Sequence, residues 1–257
     1  MNYNELTEKV IDIVQRSGIL VTNVSSQDSI KEKGMANFVT YLDLEIQDYL
    51  VGSLTRIFPS ARVIAEESER NPDVADGFYW VVDPIDGTTN LIHGYPHFCT
   101  SISLLKDSEP IIGITYNPIT KELFRAQKDQ GAFLNDKKVT VSNNGSLRTS
   151  ILGFGFPYDK TKTLPTIDLL KKAIFRTQDL RRTGSAALDL AYVACGRIDG
   201  FFEYDLEIWD YAAGSLLIKE AGGKISDWND TDLKFHSKTN ITASNKLIHG
   251  ELLELVG

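Results

Sequence analysis

Along residues 4–20, Leu6, Val10, Ile13 and Val14 recur at i, i+4, i+7 and i+8, which predicts a helix with one apolar face. A stretch rich in Ser, Lys and Glu, about 22–37, breaks that pattern and reads as an exposed loop. Helical spacing returns at Thr40, with Leu42, Ile46, Tyr49, Leu50 and Leu54 on one side, and stops at Phe58-Pro59. The rhythm then shortens. Residues 62–65 and 78–82 are compact β-type runs, each ending in acidic residues. Residues 97–105, 111–116 and 123–126 predict antiparallel strands joined by turns at 106–110 and 117–120.

The second half predicts a strand at 150–156, a helix at 163–176 and an Ala-rich helix at 184–195. A strand at 200–203 follows, then a helix from Trp209 closed by Gly222-Gly223, with Trp209, Ala212, Ala213, Leu216 and Leu217 facing inward. Strands near 224–227 and 241–244 precede a C-terminal helix at 246–255. No repeat, low-complexity tract or Pro/Ser-rich linker divides the chain. The expected organisation is therefore two halves, 1–147 and 148–257, packed as one unit of mixed α/β (α+β) class with helices layered between sheets.

Composition narrows the function classes. The 257 residues include 27 Lys+Arg and 35 Asp+Glu, a net charge of −8, which argues against nucleic acid as the main partner. Two cysteines, Cys99 and Cys195, cannot build a disulfide framework and suit a reducing compartment. The first residues lack the basic and apolar regions of a signal peptide, and no apolar run approaches the roughly 20 residues of a membrane span. A cytoplasmic protein with no membrane partner is expected.

The candidate chemistry is acidic. Glu66 and Glu67 follow one β-run, Asp83 and Asp86 bracket Pro84-Ile85 after another, and Asp210 lies in the first turn of a helix. Strand ends and helix caps favour Asp in any protein. That explanation does not cover the unit Asp-Pro-Ile-Asp-Gly-Thr-Thr-Asn at 83–90. There Pro84 sets one φ, Gly87 permits a conformation closed to a Cβ, and Thr88 can start a helix whose free N–H groups face back towards the aspartates. Paired carboxylates about 4 Å apart repel by roughly 4 kcal/mol at an effective dielectric near 20. Several such pairs demand divalent cations, and all-oxygen ligation points to Mg²⁺ or Mn²⁺ rather than zinc. Cations on one side and backbone amides on the other describe a phosphate site.

Glu66-Glu67-Ser68, Asp83-Pro-Ile-Asp-Gly-Thr-Thr-Asn90 and Trp209-Asp-Tyr-Ala-Ala-Gly214 resemble, in order and spacing, the three signatures of the inositol monophosphatase family. These are Mg²⁺-dependent, lithium-sensitive phosphatases related to fructose-1,6-bisphosphatase, and the resemblance runs from about residue 33 to 245. It implies a layered αβαβα sandwich, a homodimer, and two to three Mg²⁺ ions per subunit. On the matching positions, Glu66, Asp83 and the Ile85 carbonyl would hold one ion, and Asp83, Asp86 and Asp210 a second. A third would rest mostly on Glu66. Thr88 with Glu66 would orient and deprotonate the attacking water, supported by Asp43 behind Thr88. Gly87 and Thr88 would offer N–H groups to the phosphate, with Asp86 and Asp210 also near it, and Ala186 and Glu203 would line the pocket for the alcohol part. The implied reaction is hydrolysis of a small phosphate monoester by metal-activated water. Inositol monophosphate leads the candidate substrates. NADP(H), fructose-1,6-bisphosphate and 3′-phosphoadenosine 5′-phosphate are alternatives, as is a non-catalytic regulatory protein on the same scaffold.

The chain departs from the family pattern at Asn37-Phe38, which lowers the charge of the loop contributing to the third ion, and trivially at Ala65. Asp205 and Glu207 read as solvated. His93 and His97 read as structural, because no Ser or Cys nucleophile pattern accompanies them. Residues 227–232 form a polar turn rather than a calcium loop, lacking Gly at the sixth position and Glu at the twelfth. The pair Arg181-Arg182 fits either a surface feature or a contact to an anionic substrate.

Overall fold

The computed structural model describes residues 2–23, 30–32, 38–157, 159–235 and 238–257. Helix α1 (Tyr3–Asn23) buries Leu6, Val10, Ile13, Val14 and Val21, and α2 (Tyr41–Ile57) buries Leu42, Ile46, Leu50 and Leu54, so the apolar spacing selects the faces that meet the protein. Between them β1 (Ile30–Glu32) pairs antiparallel with β2 (Phe38–Thr40), where the sequence suggested only a loop. Asn37 lies outside the described residues.

A seven-stranded sheet follows, built from β3 (Ala61–Ala65), β4 (Phe78–Asp86), β5 (Cys99–Lys106), β6 (Glu109–Asn117), β7 (Glu122–Gln127), β8 (Gly131–Leu134) and β9 (Lys137–Val139) in spatial order of sequence. Only β3 and β4 run parallel. β8 and β9 are short and partly exposed, with too little alternation to be legible in the sequence. The second sheet has the order β11-β10-β12-β14-β13, from β10 (Ile151–Phe154), β11 (Asp179–Arg181), β12 (Gly200–Leu206), β13 (Lys224–Ser226) and β14 (Thr239–Ser244). Its first three strands are parallel, and β14 is antiparallel to both its neighbours.

Three cores separate the layers. α1 and α2 cover one face of the large sheet through a cluster that includes Leu50, Trp80, Ile102 and Ile114. Between the two sheets lie α5 (Ala186–Ala194) and α6 (Ile208–Glu220), in a cluster including Tyr79, Phe124, Leu190, Phe201 and Tyr211. On the outer face of the small sheet, α4 (Thr163–Arg176) and α7 (His249–Val256) pack around Phe202 and Leu252. The order is α, β, α, β, α.

The central layer explains a difference from expectation. α6 begins at Ile208, not Trp209, and buries Tyr211 through Ile218 without a break, because a helix between two sheets has no solvent face. Burying each such large apolar side chain is worth about 1.5–3 kcal/mol. Trp209, expected in the core, is half-buried, packing against the central core while also lining a cavity. No helix among the described residues is long and apolar enough to cross a membrane.

Candidate active site

β4 ends in an irregularity that creates the site. Asp83 is opposite Ser101 and Asp86 opposite Cys99, so three steps on β4 match two on β5. In an unbroken strand residues three apart point to opposite faces. The extra residue of this bulge resets the alternation and lets Asp83 and Asp86 converge. Pro84 suits the bulge because it has no N–H to leave unpaired, and its carbonyl accepts a hydrogen bond from Thr100 Oγ1 at 2.9 Å.

Asp210 arrives from the other half of the chain. It is the third residue of α6, and its Oδ2 accepts the Glu207 N–H at 2.8 Å while the Glu207 side chain accepts from the Asp210 N–H, a reciprocal cap. The cap leaves Asp210 Oδ1 for other use. Carboxylate oxygens of Asp83, Asp86 and Asp210 lie within 4.8 Å of one another, all buried. Glu66, one residue past β3, shares a hydrogen bond with Asp83.

Such crowding dictates protonation. Burial and then Glu67 push Glu66 up to about 8. Asp83 and Asp210 are raised well above the usual carboxylate range, by burial first and by neighbouring carboxylates next. Asp86 rises only to about 6, because Ser185 Oγ and the Ala187 N–H both donate to its Oδ2 at 2.7 Å and offset part of the burial. Asp83 Oδ1 is buried without any hydrogen-bond partner. A buried acceptor lacking a donor, amid hard oxygen ligands that resist ionising together, fits a bound divalent cation.

Thr88 opens helix α3 (Thr88–Ile92) immediately after Gly87, whose φ of 97° is the left-handed conformation foreseen for it. A Cβ there would also press on His97 O and Phe98. Thr88 Oγ1 lies 2.9 Å from Asp43 Oδ1 and 3.0 Å from the Ile85 carbonyl. One hydroxyl proton serves one acceptor at a time, and the fully buried Asp43 carboxylate is the stronger one. That leaves the Thr88 oxygen, at the cavity wall, able to accept a hydrogen bond.

The cavity, about 280 Å³, is lined by Glu66, Asp86, Gly87, Thr88, Ala186, Glu203 and Asp210, with Asp83 beneath its floor and Asp43 behind Thr88. All the site residues suggested by the sequence thus meet at one place. Glu203 is raised well above its ordinary range by burial and then by Asp210 and Asp86. Its carboxylate occupies the space a Cβ on Gly155 would fill.

Other lining residues were not foreseen. Ser185, which caps α5 and holds Asp86, sits in the quoted Gly184-Ser-Ala-Ala stretch but had no assigned role. Asp189 lines the same cavity, as do residues 154–157; Arg182, for which the sequence left open a surface role or a contact to an anionic substrate, lines it as well. Asp205 and Glu207, expected to be merely solvated, line it too and are ion-paired, with Lys162 at 2.7 Å and Lys238 at 2.9 Å. His97 is buried 3.8 Å from Asp189 and edge-on to Tyr192, His93 is exposed, and the Asp227 carboxylate caps its own turn, as expected for structural roles. Cys99 and Cys195 are both free.

A five-layer αβαβα fold with a buried carboxylate cluster beside a polar cavity is the arrangement of a metal-dependent phosphatase. The chain belongs to the inositol monophosphatase family, whose sequence profile matches residues 2–257. It is 43% identical over 228 residues to the inositol-1-monophosphatase of Synechocystis, covering 87% of this chain and 78% of that protein. It is 39% identical over 230 residues to the Nus factor SuhB of Salmonella typhimurium, covering 88% and 86%. The crystal structure of the extragenic suppressor protein suhB from Bartonella henselae superposes with a TM-score of 0.91 at 34% identity, covering 98% of each chain.

Proposed function

We propose that this phosphatase hydrolyses the phosphate monoester of a small polyol, with inositol monophosphate as its lead substrate, and uses Mg²⁺. The observation that carries the reading is the convergence of Asp83, Asp86 and Asp210 beneath a cavity that also presents Thr88 and Glu66. Glu66, Asp83, the Ile85 carbonyl, Asp86 and Asp210 would hold two to three Mg²⁺ ions, with Mn²⁺ as a substitute. When bound, the ions supply positive charge that lets the carboxylates ionise and that stabilises charge developing on the phosphoryl oxygens.

The chain's own residues do the rest. Thr88, its proton given to Asp43, accepts a hydrogen bond from the attacking water and aims it at phosphorus. Glu66, beside it in the cavity, receives the water's proton. Gly87 and Thr88 turn their N–H groups towards the phosphate, and Ala186 and Glu203 bound the alcohol. Glu203 can accept hydrogen bonds from polyol hydroxyls when ionised and donate one when protonated. A homodimer in the cytoplasm is part of this reading.

The test is phosphate release from myo-inositol 1-phosphate, NADP, fructose 1,6-bisphosphate and 3′-phosphoadenosine 5′-phosphate, with and without Mg²⁺. Mg²⁺-dependent release, greatest for myo-inositol 1-phosphate, is expected. A second reading, a regulatory protein on the same scaffold, is favoured by the Nus factor name of the Salmonella relative. Absence of release from all four compounds would favour it and overturn the first.

A further inference from the structure

Asn90 closes the 83–90 motif and has no part in the chemistry above, yet its carboxamide joins two segments that meet beside the phosphate-facing turn. It is the third residue of α3, buried behind the cavity wall. Its own carbonyl accepts the Tyr95 N–H at 2.8 Å, so the side chain starts from a fixed point. The Nδ2 group donates to the His97 carbonyl at 2.6 Å and to the Thr183 carbonyl, 93 residues away, at 2.9 Å. Both amide hydrogens are spent on main-chain acceptors.

The two segments so joined frame Gly87. A Cβ there would stand 3.1 Å from the His97 carbonyl oxygen and 3.3 Å from that of Gly184, the residue after Thr183. On the opposite side of the seam, a Cβ on Gly184 would press on the Asn90 amide at 3.1 Å. Glycines at both positions, with φ of 97° and 92°, let the main chains approach this closely. Thr183 is also held from behind, where its Oγ1 donates 2.6 Å to Asp189 Oδ2 on buried α5. The turn fastened in this way carries Ser185 and Ala187, the two donors to Asp86. One side-chain amide therefore ties the turn that offers the Gly87 and Thr88 N–H groups to the turn that holds Asp86. A hydrogen bond weakens steeply when its donor is misdirected, so this spacing governs what those N–H groups are worth to an anion.

We propose that Asn90 is a positioning residue for phosphate binding. It acts through the main chain, holding the 183–187 turn against Gly87 so that the Gly87 and Thr88 N–H groups keep their aim. This inference rests on the phosphatase reading given above.

With Mg²⁺ supplied, calorimetric titration with inorganic phosphate reads the effect without turnover. Asn90→Ala should bind phosphate about tenfold more weakly than wild type, the scale of one charge-assisted contact. Its KM for myo-inositol 1-phosphate should rise by about the same factor while kcat falls less than threefold, as expected when binding common to ground and transition states is lost. Thr183→Val, which removes only the bond to Asp189, should show the same split at about threefold. Leu252→Ala, in the outer core, lowers stability far from this seam and should leave phosphate affinity and KM unchanged. Phosphate bound as tightly by Asn90→Ala as by wild type, a loss in kcat alone, or an equal shift in Leu252→Ala would overturn the proposal. Should Asn90→Ala not fold, Thr183→Val decides by the same criteria. If the wild type hydrolyses myo-inositol 1-phosphate and Asn90→Ala matches it, the positioning role alone falls; if the wild type neither hydrolyses it nor binds phosphate, the phosphatase reading falls with it.

Discussion

Replacing Asp83 by Asn separates the stability of the protein from its chemistry. Asp83 is 1% exposed, crowded by Glu66, Asp86 and Asp210, and held well above its ordinary pKa by burial and by those charges. A carboxyl with a raised folded-state pKa stays protonated while the unfolded chain ionises. The metal-free protein therefore loses stability as pH rises above the unfolded value near 3.9. At pH 7 that loss is bounded by the cost of keeping one carboxyl protonated, about 4 kcal/mol, and at pH 5 by about 1.5 kcal/mol. Asn has the shape of the protonated acid and no such cost. In EDTA at pH 7, Asp83→Asn should unfold up to roughly 16 °C higher than wild type, using about 2–4 °C per kcal/mol for a chain of this size. The gain should shrink towards pH 5. With Mg²⁺ the order should narrow or reverse, since the wild type gains cation binding and the variant loses a ligand. Phosphate release should fall by about 10³-fold or more, because charge facing the reacting group supplies most of the rate. Thermal melts by circular dichroism at both pH values, with and without Mg²⁺, provide the measurement. An Asp83→Asn protein less stable than wild type in EDTA at pH 7 would refute the argument that repulsion and burial dominate this carboxylate.

Three further outcomes follow from the geometry. Thr88→Ala should lower kcat by about 10²-fold with KM changed less than threefold, whereas Thr88→Ser should keep most activity; a KM effect in Thr88→Ala would make the hydroxyl a binding group instead. Gly155→Ala should destabilise the protein by about 1–3 kcal/mol because its methyl falls on the Glu203 carboxylate, and Glu203→Ala in the same chain should recover most of that in urea unfolding. His249, buried between Ser226 and Ser244, is lowered to about 4 by burial and by Lys224, so the folded protein resists its protonation. Stability should be unaffected by His249 above pH 6.5 and fall by about 2 kcal/mol between pH 7 and pH 5, a slope that His249→Gln should remove.

Much of the fold was legible because local chemistry and tertiary environment agreed. The spacing of Leu42, Ile46, Leu50 and Leu54 matched the buried face of α2, and the predicted span 163–176 coincides with α4. Agreement failed where burial came from more than one side. The inward face assigned to α6 was too narrow, since Tyr211, Gly214, Ser215 and Ile218 are buried as well. Short strands such as β8, β9 and β11 escaped because three or four residues hold no period to read.

The site divides along the same line. The sequence by itself determined which residue types were available: acidic groups at strand ends and a helix start, a glycine placed to turn the chain, and a threonine beyond it. Those features are local, so order and spacing along the chain carry them. Only the tertiary structure decided that Asp83 and Asp86 point the same way, because that depends on a bulge set by the pairing with β5. It also brought Asp210 onto the same floor from more than a hundred residues away, and gave the adjacent arginines different surroundings. Arg181 pairs with Asp179, while Arg182, also exposed, lies beside Gly184 and lines the cavity. Direction and neighbourhood come from packing between elements distant in sequence, and a charge acquires its role only when those neighbours are in place.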